Sequence, residues 1–186
     1  VLFIKKRGFN NYEVRGDITA IIIINRKHER FEVLIDTIDL QKLIDMNVSW
    51  SVNWCESTQS YYCRTTLYLG MENGKVKQTF LKLHTFISSA KEGEFVDHRN
   101  HDTLDNRRDN LRITTNKHNV RHRKGLNKNN TSGYRNVSYD SRGNPIVQLQ
   151  DESGKNHIWR DFKDVHEAGE FAAKMRQEWY GDYSGE

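Results

Sequence analysis

The sequence predicts an α+β protein with three modules in series. These are a β-rich N-terminal region, a small central core of two brief strands, a long polar loop and a helix, and a C-terminal three-stranded sheet backed by one helix. Three observations carry this reading. Short β-branched and aromatic runs separated by polar turns fill residues 1–80. A dense polar string, VDHRNHDTLDNRRDNLRITTNKHN from Val96 to Asn119, lies among minimal strand patterns. The end of the chain reads strand, turn, strand, turn, strand and then an amphipathic helix.

In the first region, Tyr12 to Val14, Ile18 to Ile24 and Glu32 to Ile35 are β-prone runs, separated by Arg15-Gly16-Asp17 and by Asn25 to Arg30. Asp36 to Asp45 reads as one short helix. Its Ile38, Leu43 and Ile44 share a face, and Leu40 adds partial support. Trp50-x-Val52-x-Trp54 alternates as a half-buried strand does, and Tyr61 to Leu69 and Val76 to Leu81 are strands joined by a turn at Glu72-Asn73-Gly74. Nothing in this region points to chemistry, and its Trp and Tyr residues read as core material.

The central region spans 81–122. Leu81 to Ala90 reads as a short helix, Phe95 to His98 and Leu111 to Ile113 as brief strands, and Thr115 is placed to cap a helix running through Asn119. Residues 123–132, RKGLNKNNTS, form a basic linker. In 133–186, Tyr134 to Tyr139, Ile146 to Gln150 and Asn156 to Trp159 are strands, with Gly-containing turns at Asp140 to Asn144 and Asp151 to Lys155. Asp164-x-x-Glu167 starts a helix in the manner of a capping box, Ala168, Phe171, Ala172, Met175 and Trp179 share its apolar face, and Gly181 ends it.

Composition bounds the function classes. The 186 residues are 35% hydrophobic and 29% charged, with no apolar run approaching the ~18 residues of a membrane span. The N-terminal stretch VLFIKKRGFNNYEV lacks the apolar core and small-residue cleavage site of a signal peptide. Cys55 and Cys63 are the only cysteines, too few for a disulfide framework. They suit reduced thiols in an intracellular, cytoplasmic protein. The net charge of +4 is modest, but its distribution is not even. From Asn110 to Tyr139 there is no Asp or Glu, while Arg112, Lys117, Arg121, Arg123, Lys124, Lys128 and Arg135 all fall there with His118 and His122. A one-signed stretch of this kind suits a polyanion.

The polar string reads as chemistry for a phosphodiester. Histidine is the side chain that takes a proton near neutral pH, and a hard divalent ion prefers oxygen donors such as an Asp carboxylate and an Asn carbonyl. Asp97 and His98 are adjacent on a strand and point to opposite faces unless the strand ends there. A carbonyl acceptor such as Asn110 can hold the imidazole in one orientation.

With its Asp-His, Asp-Asn-Arg and Asn-Leu-Arg pieces, the string resembles the HNH endonucleases, especially the phage and intron-encoded homing type. The resemblance implies a ββα-metal core and hydrolysis of double-stranded DNA with Mg²⁺ or Mn²⁺, one ion per site. By motif position, Asp97 becomes the first metal ligand, His98 the general base, Asn110 the group that orients His98, and Asn119 the second metal ligand. His118 is the rival for the helix-borne ligand. Asn106 and Arg107 pin the loop, with Arg107 also counted among the DNA-contacting cations. His84, His101, His118 and His122 read as surface, loop or phosphate-contact residues.

The segment from Ser132 to Gly181 resembles the AP2-type DNA-binding domain through its Ser-Gly-Tyr-Arg-Asn-Val opening, its Trp-x-x-Phe string and its Glu-Ala helix start. That resemblance implies a sheet face lying in a major groove. Strand alternation turns Val147 and Leu149 toward the helix and Gln148, Gln150, Asn156 and Ile158 outward. Gln and Asn suit adenine edges. Phosphate contacts are expected from Arg112, Arg121, Arg123, Lys124, Lys128, Arg135, Arg142, Lys155 and Arg160. The expectation is a phage or mobile-element nuclease gripping double-stranded DNA with its N-terminal and C-terminal regions, a monomer being consistent with the sequence. The alternatives are a non-cleaving DNA-binding regulator with a degenerate core, and an RNA-directed protein, for which no RNA-recognition motif is present.

Overall fold

The computed structural model describes residues 8–185. The leader reading of the N-terminal stretch falls partly on residues 1–7, outside the described residues. The chain is α+β, with several small antiparallel sheets and few helices. It divides into two compact units, one ending at Thr115 and the other beginning at Asn116.

In the first unit, β1 (Asn11–Arg15), β2 (Ile18–Ile24) and β3 (Arg30–Asp36) form a meander with β2 in the centre. The central position explains the isoleucine run. Ile21, Ile22 and Ile23 are buried on both faces, and only Ile24 emerges at the strand end. The helix expected over Asp36 to Asp45 splits into a 3₁₀ turn at Thr37–Asp39 and α1 (Leu40–Asp45). Leu43 and Ile44 are buried as read, but Ile38 is 79% exposed, because the tighter turn rotates it off the shared face.

A second sheet contains β4 (Ser51–Cys55), β5 (Ser60–Glu72) and β6 (Lys75–Lys82), with β5 in the middle. The β5–β6 hairpin turns at Asn73-Gly74, both with positive φ, as a two-residue hairpin turn requires. Toward its tip it exposes Tyr68, Leu69, Met71 and Val76. The short helix α2 is Leu83–Ser88, and β7 (Phe95–His98) pairs with β8 (Leu111–Thr114). One hydrophobic cluster joins Ile21, Val33, Ile35, Leu43 and Trp50 of the N-terminal region to Leu83, Ile87 and Leu111. The segments read as separate at residue 80 therefore share a core.

The second unit begins with α3 (Asn116–Arg121) and carries β9 (Val137–Tyr139), β10 (Pro145–Gln150), β11 (Asn156–Trp159) and α4 (Val165–Tyr180). The first strand is shorter than the Tyr134 to Tyr139 run suggested. Ser132 bonds to Tyr134 N and Val137 O, and Asn136 takes a positive φ, so the chain turns before it extends. The sheet order is β11-β10-β9, and α4 packs its Ala168, Phe171, Ala172 and Met175 face on Val137, Val147 and Leu149. Asp164 caps α4 by accepting from the backbone N–H groups of His166 and Glu167, while Glu167 reaches back to Lys163 N at 2.6 Å.

Gly169 lies where a Cβ would overlap the Tyr134 ring. Gly169→Ala adds helix propensity of about 1 kcal/mol, but the overlap outweighs it. The variant is expected to lose about 1–3 kcal/mol in urea denaturation. A more stable variant would mean that the ring moves aside freely.

Candidate active site

The two strands of the central core place Asp97 directly across from Arg112 and His98 across from Leu111. Asp97 Oδ2 accepts from Arg112 Nε at 2.8 Å and from Arg112 Nη2 at 2.7 Å, and both side chains are buried. A buried carboxylate needs such a partner, since an uncompensated charge in the interior is costly. The structure therefore places Arg112 inside, on the carboxylate, and not among the exposed phosphate contacts where its charge suggested.

β7 ends at His98, so Asp97 and His98 need not keep strand alternation. His98 is 4% exposed. Burial pushes its pKa down, while the Asn106 side chain and the nearby Asp97 carboxylate pull it up without reversing the shift. Two rings stand edge-on around it. His84 lies 5.1 Å away centroid to centroid at 87°, and Tyr62 lies 6.3 Å away at 63°. His84 was expected at the surface, yet it is buried at the start of α2, and burial holds its pKa down to about 3. Its sequence signal was its place one residue after Leu83, inside the apolar pattern of a short helix. Among the described residues, His98 Nε2, His84 Nδ1 and Asn106 Oδ1 complete no hydrogen bond. Each such atom typically costs ~1–3 kcal/mol.

The loop after His98 is tied down by its own polar residues. Asn110 Oδ1 accepts from Asn100 N at 2.9 Å, and its Nδ2 donates to Asp105 O at 2.7 Å. Both ends of the Asn110 amide are thus engaged by the loop backbone, which corrects its expected role as the holder of the imidazole. Asn106 is the amide beside His98, and its Nδ2 donates to Leu104 O at 3.1 Å. Arg107 forms a two-pronged pair with Asp105, at 2.7 and 2.6 Å. Burial raises the Asp105 pKa, but Arg107 overrides it and the net shift is downward. Arg108 forms a second two-pronged pair, with buried Asp39 at 2.8 and 2.6 Å, and its backbone N–H donates to Asp36.

In the second unit, α3 carries a half-buried Asn119, and His118 stacks on Tyr183 at 4.6 Å. Arg121 is buried. It donates to Gln150 O and Asp151 O, pairs with Glu152 and lies over the Tyr180 ring. His122 is also buried, against the expectation of a surface site. Arg135 is half-buried and donates to Ser184 O and Arg121 O. Arg121 and Arg135 therefore hold the unit together, and the expectation of free phosphate contacts is corrected for them. Arg123, Lys124, Lys128, Arg142, Lys155 and Arg160 are exposed. On the sheet, Val147 and Leu149 are buried against α4. Gln148, Gln150, Asn156 and Ile158 are exposed as alternation required, with Gln148 opposite Ile158 and Gln150 opposite Asn156.

Among the described residues, no group of three His, Cys, Asp or Glu side chains converges as a closed metal site. The Asp97 carboxylate is an oxygen donor of the kind a hard ion takes, with phosphate and water completing its coordination. A family model described as HNH endonuclease matches residues 89–121, the stretch holding β7, the pinned loop, β8 and α3. Neither a curated protein nor a solved structure matches the chain. The family match supports a nuclease, with DNA as its substrate class.

The two settings of basic residues separate in a stability measurement. Arg112→Ala strands a buried carboxylate and is expected to cost about 3–5 kcal/mol in chemical denaturation. Lys124→Ala, at an exposed position, stays within about 0.5 kcal/mol. Equal small losses would show that the Asp97 charge is not dependent on Arg112.

Proposed function

We propose that the protein is a metal-dependent, site-specific DNA endonuclease of the HNH homing type. The observation that carries the reading is the buried Asp97-His98 pair at the end of β7, within the segment that matches HNH endonucleases. His98 takes the proton of the attacking water. Its lowered pKa keeps the imidazole neutral, and so able to accept, at working pH. Asp97 and Asn119 are the proposed protein ligands of one Mg²⁺ or Mn²⁺. When bound, the ion would neutralise charge on the scissile phosphate and aid the departing oxygen. Asn106, Asn110 and Arg107 hold the loop that carries His98.

The C-terminal unit is proposed as an AP2-like reader of double-stranded DNA. Support comes from the exposed Gln148, Gln150 and Asn156 on one sheet face, with Arg142, Lys155 and Arg160 also exposed. Amide side chains suit adenine edges in a major groove. Lys124, Lys128 and Arg123 supply phosphate contacts, and the N-terminal region adds further DNA contact. A phage or mobile-element setting and a cytoplasmic location accompany this reading.

One observation favours a second reading, a non-cleaving DNA-binding regulator: Arg112 already engages the Asp97 carboxylate, and His98 Nε2 is shut away from solvent. Supercoiled plasmid incubated with protein and Mg²⁺, with and without chelator, separates the two. Chelator-sensitive relaxation or linearisation supports the nuclease, and binding without cleavage supports the regulator.

In the cleavage assay, His98→Ala is expected to lower the rate by ~10²–10⁴-fold at nearly unchanged DNA affinity. Asp97→Ala and Asn119→Ala raise the Mg²⁺ concentration for half-maximal rate, and His118→Ala does not. A reversed pattern at 118 and 119 moves the ligand by one residue.

Binding titrations at several salt concentrations distinguish the basic stretch from the sheet. Lys124→Ala with Lys128→Ala weakens binding to target and scrambled duplexes alike, flattening the salt slope by about one unit per contact. Gln148→Ala costs ~1–3 kcal/mol on the preferred site alone. Equal effects of Gln148→Ala on both duplexes would remove the sheet as the reader.

A further inference from the structure

The second unit holds a cleft of about 370 Å³, walled by α3, the linker after it and the ends of β10 and α4. Four cations line it, Lys117, Arg121, Arg123 and Arg135, with amide side chains that include Asn127 and Gln150. A recess lined by one sign of charge focuses its field and gathers counter-charge. Among the described residues, Lys117, Arg121 and Arg123 share a single carboxylate partner, Glu152, which pairs with the first two. Arg123 bonds to the uncharged Asn127 amide. Glu152 stands on the turn between β10 and β11 with its side chain 60% exposed, so this carboxylate is free to swing into water.

The cleft is joined to the sheet through Gln150. The Gln150 side chain is an exposed member of the proposed reading face and also borders the cleft. Its backbone O accepts from Arg121 Nη2 at 2.9 Å and from the Tyr180 hydroxyl at 2.7 Å. An anion held in the cleft therefore lies at the edge of the face that carries the amides.

We propose that the cleft seats one backbone phosphate of a DNA duplex, which displaces Glu152. Lys117 and Arg123 donate to its oxygens, Arg123 having five N–H donors of which Asn127 engages one. Arg121 and Arg135 keep their bonds to backbone carbonyls and contribute charge alone. One phosphate fixed beside Gln150 sets the register of the sheet on the strand, as backbone contacts do where base contacts specify. This rests on the reading of the second unit as a DNA reader and names its anchoring point. Lys124 and Lys128 do not line the cleft and remain diffuse contacts.

The test uses the full chain and a duplex recovered from a random library by its affinity for that chain. Copies of the duplex each carry one uncharged methylphosphonate, at a different backbone position in each. Neutralising one position weakens binding to the parent by about tenfold, the scale of a lost hydrogen bond to a charged group. The same change is silent in Lys117→Gln with Arg123→Gln, and keeps its full effect in Lys124→Ala. Arg123→Gln alone, at an exposed position, reduces the penalty in part and serves if the pair loses stability. Glu152→Gln removes the competing anion and tightens the fully charged duplex by about threefold, the scale of an exposed ion pair. It does not tighten the duplex neutralised at that position.

Penalties spread over many positions, none of them silenced by the glutamine variants, overturn the seat, as does failure to bind any duplex. Inorganic phosphate controls for the source. If it shifts the Arg123 Nε–H resonance while no backbone position is silenced, the cleft takes free phosphate and the inference fails. Gln148→Ala keeps the two readings apart. If it weakens target and scrambled duplexes alike, the sheet is not the reader, and the silenced position alone then decides the seat.

Discussion

The long loop between β7 and β8 is held to the edge of β3, and the first unit depends on that attachment. Leu34 N donates to Leu104 O at 2.9 Å and Asn106 N donates to Leu34 O at 2.8 Å, a short parallel bridge between strand and loop. Backbone bonds of this kind satisfy groups that would otherwise be buried unpaired. They also bring Asp105 and Asn106 into the interior, where Asp105 anchors Arg107 and Asn106 stands beside His98. The Arg108 clamp on Asp39 secures the same loop from its other side. The imidazole is thereby carried on a strand end whose continuation is held by backbone and side-chain bonds.

Burial shapes the electrostatics of this centre in two directions. It disfavours charge on His98 and His84, and lowers the pKa of both rings. It also demands a counter-charge for Asp97, which Arg112 supplies from the directly opposed position on β8. The guanidinium lowers the cost of keeping that carboxylate indoors.

Much of the framework was legible in the sequence because its patterns are local. The alternation of Val147, Gln148, Leu149 and Gln150, the Asp164 cap and the Asn73-Gly74 turn depend on near neighbours, and each is realised at those residues. The central strands and the Asp97-His98 placement were legible for the same reason. What sequence order hides is pairing over distance. Arg108 with Asp39, Asp105 with Leu34 and the His84 ring beside His98 join residues far apart in the chain. Nor does charge alone reveal which cations are structural. Arg112, Arg121 and Arg135 read like Lys124 and Lys128 until their partners are known. The Ile38 assignment failed because a 3₁₀ turn has a different period from the helix it precedes.

The β5–β6 hairpin bears on how the protein behaves when concentrated. β6 is an edge strand, so one side of its backbone is open to another strand, and the apolar residues near the tip would reward such an addition. Lys75, Lys77 and Lys82 are spaced along that edge, and the ladder irregularity between Tyr68 and Gly70 interrupts the partner strand. A second copy approaching edge to edge would bring like charges together on a kinked template. The lysines thus act as gatekeepers of colloidal stability. Acetylating them removes the barrier that keeps hairpins from joining into extended sheets.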